Sequence, residues 1–71
     1  MSFQIRYFRD GLPATSYAAS AQTMFEARRL AATPPIAVEF DLAIIEAMDD
    51  NEIYRTIDVF RRDPECRSLN R

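Results

Sequence analysis

The single glycine of this 71-residue chain, Gly11, follows Asp10 between two strand-like segments. A two-residue type I′ turn needs positive φ at both central positions, and Asp-Gly is one of the few dipeptides that supplies it. The pair predicts an antiparallel hairpin near the amino terminus. Before it, Ser2 to Arg9 alternates, with Phe3, Ile5 and Tyr7 on one face and Gln4, Arg6 and Phe8 on the other. After it, Leu12 to about Ala19 makes the return strand. A two-residue turn pairs Phe8 with Pro13, Tyr7 with Ala14, Arg6 with Thr15 and Gln4 with Tyr17. Pro13 has no amide hydrogen for a ladder, so this strand belongs at a sheet edge.

Thr23-Met24-Phe25-Glu26 has the pattern of a capping box, with a threonine to cap a free helix amide and a glutamate three residues on to reach back. Met24, Ala27, Leu30 and Ala31 then recur on one helical face, and Pro34-Pro35 stops the helix by about Thr33. The contact face of this helix is made of small residues.

Residues 38 to 62 decide the fold, because Phe40, Ile44, Ile45 and Met48 also fit a helix face. A two-residue turn at Asp50-Asn51 pairs Met48 with Ile53, Glu46 with Arg55, Ile44 with Ile57 and Leu42 with Val59. Three apolar pairs and one ion pair fall into register, which favours a second hairpin. The chain therefore reads as α+β: a ββαββ domain over residues 1–62, a four-stranded antiparallel sheet with one helix packed on one face. A strand order of 2-1-3-4 leaves the Pro13 strand at an edge. Residues 63–71 hold little apolar content and read as a disordered tail.

Composition narrows the function classes. With no histidine, the commonest neutral-pH acid–base group is missing, and so are Ser-His and Cys-His nucleophiles. Cys66 is the lone thiol. It has no partner for a disulfide and no base to activate it, although Arg67 adjoins it, and a reducing cytoplasm is the expected compartment. One glycine rules out a glycine-rich phosphate loop. Asp49, Asp50, Asn51 and Glu52 lack calcium-loop spacing and read as a solvated turn. No enzyme, cofactor or metal is expected, and no run approaches the length of a membrane span.

The net charge of −2, with all nine basic residues arginine, gives no electrostatic footprint for nucleic acid. Contacts with protein are the remaining class. The face turned from the helix is expected to carry Phe8, Tyr17, Ile45, Tyr54 and Phe60, a surface suited to self-association into a homodimer. Phe8, Tyr17 and Tyr54 with Arg6 suggest a single-stranded RNA platform, against which the acidic balance weighs. Two other classes stand beside these. If residues 39 to 50 were helical, the order would resemble a ribbon-helix-helix repressor with Gln4, Arg6 and Phe8 as base readers. Alternatively, the acidic stretch from Glu39 to Glu52 would dock on a basic protein as an adaptor or inhibitor.

Overall fold

The computed structural model describes residues 2–62. The elements run in the order β1 (Phe3–Arg9), β2 (Leu12–Ala21), α1 (Met24–Ala32), β3 (Leu42–Met48) and β4 (Tyr54–Arg61). All strand pairings are antiparallel, in one sheet ordered β2-β1-β3-β4. This is the ββαββ architecture, with β2 at an edge. The expected tail, and Cys66 with it, lies outside the described residues.

The first turn forms as its dipeptide dictates, with φ of 54° at Asp10 and 81° at Gly11. Phe8 pairs with Pro13, but further along Arg6 faces Ala18 and Gln4 faces Ser20. The register has slipped by three residues through an irregularity in which Thr15 and Ser16 take left-handed conformations, φ 52° and 53°. An odd slip exchanges the faces of a strand. It brings Ala19 opposite Ile5 and Ala21 opposite Phe3, where the helix needs small apolar neighbours, and turns Ser20 outward. The left-handed pair costs backbone energy that this burial offsets.

Helix α1 is capped as its sequence implies. Thr23 Oγ1 accepts from the Glu26 amide at 3.1 Å, while Glu26 Oε1 reaches back to the Gln22 amide instead of that of Thr23. Ala27 and Ala31 are buried against the sheet, and Met24 and Leu30 flank them. At the far end of the helix, the Tyr7 hydroxyl donates to the Leu30 carbonyl at 2.5 Å, satisfying one of the last-turn carbonyls that has no partner within the helix.

The second hairpin departs from the two-residue turn. Neither Asp50 nor Asn51 has positive φ, which excludes type I′. The loop has three residues instead. The Glu52 amide donates to the Asp49 carbonyl, Glu52 takes φ 62°, and the Asp49 amide donates to the Ile53 carbonyl. Asp49 organises this loop, with Oδ1 accepting from the Asn51 and Ile53 amides and Oδ2 from Arg55 Nε at 2.6 Å. These bonds hold its carboxyl below the usual aspartate range, the Arg55 bond contributing most. Because Glu52 occupies a position suited to glycine, Glu52→Gly is expected to raise stability by about 0.5–1 kcal/mol. An unchanged urea midpoint would count against this turn geometry.

Between Ile45 and Glu46 the β3–β4 ladder shifts once more, with Ile45 facing Asp58, Glu46 facing Thr56 and Ile57 the extra residue. Asp58 thereby comes to the helix side, where Arg28 pairs with it at 3.4 Å.

Under the helix, Phe3, Ile5 and Tyr7 of β1 meet Ala43 and Ile45 of β3, with Phe40 closing one end. Tyr7 stacks on Tyr17 at 5.6 Å and meets the Phe40 ring edge-on at 5.1 Å. The guanidinium of Arg62 lies over the Phe40 ring at 4.7 Å. Six of the eleven buried residues among those described are alanine, so the space between helix and sheet is shallow.

Candidate functional site

Opposite residues of an antiparallel ladder share a face, so the pairings define the surface turned from the helix. Across β1, β3 and β4 it has four rows: Ser2, Met48 and Tyr54; Gln4, Glu46 and Thr56; Arg6, Ile44 and Val59; Phe8, Leu42 and Arg61. Leu42, Ile44, Met48 and Phe8 are half-buried, while Val59 and Tyr54 stand 44% and 37% exposed. No element of the described chain covers this face.

Of the five residues expected on it, Phe8 and Tyr54 are there. Ile45 is not: it is 1% exposed, opposite Ile5 in the core. Phe60 pairs with Ala43 and packs near Phe40 on the helix side, and the slip in β2 carries Tyr17 there onto Tyr7. The cause is volume. A nine-residue helix with an alanine contact face leaves room beneath it for Ala43, Ile45 and Ala47, and pushes the bulkier set of Leu42, Ile44 and Met48 to the far side. Cross-strand matching alone does not reveal which face the helix takes, but the run of alanines at 27, 31, 43 and 47 carries that signal.

One alternative loses its structural basis. Residues 42–48 form a strand, so the strand-helix-helix order required by a ribbon-helix-helix repressor is not formed. Phe8 and Tyr54 stand at opposite ends of the face, six residues apart along β3 through their partners Leu42 and Met48, or about 20 Å. With Tyr17 on the other side, stacked on Tyr7, these three aromatics do not adjoin one another on one face. In the acidic stretch, Glu39 pairs with Arg9 at 2.5 Å, Asp49 is held by Arg55 and Asp41 accepts from the Asp10 amide, while Asp50 and Glu52 stand exposed at the loop tip. Among the described residues no group of three acids, cysteines or histidines is arranged to hold a metal ion, and no helix is long and apolar enough to cross a membrane.

The sheet edges are poor docking strands. On β2, Pro13 and the kink at Thr15-Ser16 interrupt the ladder edge. On β4, the Arg62 amide bonds inward to the Asp41 carbonyl, so alternation turns the Val59 amide outward, where Asp58 Oδ1 accepts it at 2.8 Å. A cavity of about 250 Å³ opens beside the β2 kink, between Arg6, Phe8, Pro13 and Tyr17. Comparison with models of protein families, with curated proteins and with solved structures finds no match to the chain.

Proposed function

We propose that the chain is a non-catalytic interaction module of the cytoplasm, that its contact surface is the open face of the sheet, and that it associates with a second copy of itself. The observation that carries this is the distribution of large apolar side chains. Leu42, Ile44, Met48 and Val59 sit on the uncovered face, while alanine makes up most of the core. A chain this small gains much from covering such a face, since its own core is near the lower limit for independent stability. Blunted edges favour face-to-face packing over strand addition. Two-fold assembly is the commonest arrangement for identical chains.

Strand spacing and rise give the face a footprint on the order of 450 Å². That is below the roughly 800 Å² per partner of a standard interface, so the dimer should be weak and depend on concentration. Light scattering behind a sizing column is expected to show the mass climb to that of a dimer as concentration rises through the micromolar range. Ile44→Asp should hold the chain at monomer mass with its circular dichroism unchanged. A wild-type monomer at every concentration would refute self-association and leave the face open to a different protein.

A further inference from the structure

We infer that Arg6 of one copy and Glu46 of the other form a reciprocal ion pair across the two-fold of this dimer, so that the middle of the face selects the chain's own copy. The inference rests on the dimer reading and adds what makes the surface specific. Glu46 lies on β3 in the second row, between Gln4 and Thr56, half-buried; its Oε1 is enclosed by the chain itself without a hydrogen-bond partner, so a contact from outside falls on the other carboxylate oxygen. Arg6 lies on the adjacent strand β1 in the next row, exposed, beside Ile44. Among the described residues the ion pairs are Arg9 with Asp10 and Glu39, Arg28 with Asp58, and Arg55 with Asp49. Neither Arg6 nor Glu46 takes part in any of them.

The two strands concerned are the central pair of the sheet, and the two rows are its middle rows. One cation and one anion, neither in an ion pair, therefore stand in the two middle rows beside Gln4, Thr56, Ile44 and Val59, with the other charge of the face, Arg61, in its last row. Covering them with a purely apolar partner would strand two charges away from water, which is strongly unfavourable. A wholly acidic or wholly basic partner would answer only one of them. A second copy answers both. An in-plane two-fold that bisects the line from Arg6 to Glu46 lays each residue over the other's copy, and an isologous interface repeats the contact automatically. Charge complementarity of this kind fixes register and excludes wrong partners more than it adds affinity.

The test uses the full chain and sedimentation velocity at several salt concentrations. Arg6→Glu and Glu46→Arg, made singly, each place like charges together twice and should weaken self-association by at least about 30-fold. Combining both in one chain should restore association to within a few-fold of wild type. Mixing the two single variants should give a heterodimer where neither alone dimerises. Circular dichroism reports whether each variant is folded. Should a charge reversal unfold the chain, the neutral pair Arg6→Gln with Glu46→Gln replaces it, and the salt dependence of the wild-type dimer should flatten in that variant. If wild type dimerises while the single variants dimerise equally well, or the double variant is not rescued, the ion pair is overturned and the dimer stands. A wild-type monomer overturns both.

Discussion

Ile45→Ala is expected to remove about 2–5 kcal/mol of stability, the range for truncating a buried isoleucine in a packed core. The same change one residue earlier, Ile44→Ala, is expected to cost under about 1 kcal/mol in the monomer, within the range of changes away from the core. Ile45 is 1% exposed and lies opposite the fully enclosed Ile5, directly beneath the alanines of the helix. Ile44 points the other way and loses only the shelter of its neighbours on the open face. A domain of this length has roughly 4–10 kcal/mol in total, so the first substitution removes a large share of the fold. Urea unfolding at a concentration low enough to keep the protein monomeric measures both. If Ile44→Ala proved the costlier change, the sheet would be facing its helix with the other side, and the open surface described here would be the core.

That pair of neighbours also shows where reading from sequence stops. The first strand, its type I′ turn, the capped helix and the strand order were all legible, because each depends on local chemistry: positive φ at Asp10-Gly11, the Thr23 cap, the missing amide of Pro13. What alternation could not supply was the parity of β2, β3 and β4 relative to β1. Three irregularities, at Thr15-Ser16, at Glu52 and at Ile57, each insert an odd number of residues, and every odd insertion turns a strand over. Such insertions are selected by what the helix can accommodate, which is tertiary information. Hence Phe8, beside the turn that formed as its dipeptide dictates, fell on the expected face, whereas Tyr17 was turned over by the β2 slip and Ile45 because β3 as a whole presents its other face to the helix; the three-residue loop turned β4 over once more and returned Tyr54 to the expected face, and the Ile57 bulge then carried Phe60 to the helix side. The orphan oxygen of Glu46 was likewise invisible, since a cross-strand pairing with Arg55 seemed to satisfy it until the longer turn gave Arg55 to Asp49.

Alkaline pH is expected to unfold the protein through Tyr7 in particular. Its ring is 1% exposed, and burial, with a further contribution from neighbouring Tyr17, pushes its phenol up to about 12 from an ordinary 10. The folded state thus holds this proton more tightly than the unfolded state. Below pH 10 both states keep the proton and the contribution is complete. Between about 10 and 12 only the unfolded chain releases it, so stability falls as pH rises, and above 12 the contribution is gone. Two pH units correspond to roughly 2–3 kcal/mol, a large fraction of the stability available to so short a chain. Ionisation would also remove the hydroxyl proton that Tyr7 donates to the Leu30 carbonyl, leaving the end of the helix without that partner just as a charge appears beneath it. Tyr7→Phe separates the two contributions. It should cost about 1 kcal/mol at neutral pH, the value of one hydrogen bond, and should lose less stability than wild type as pH climbs past 10. Urea unfolding of the pair across that interval decides the matter: converging stabilities place the alkaline sensitivity on Tyr7, whereas a constant gap places it on the rest of the molecule and removes Tyr7 as the link between sheet and helix end.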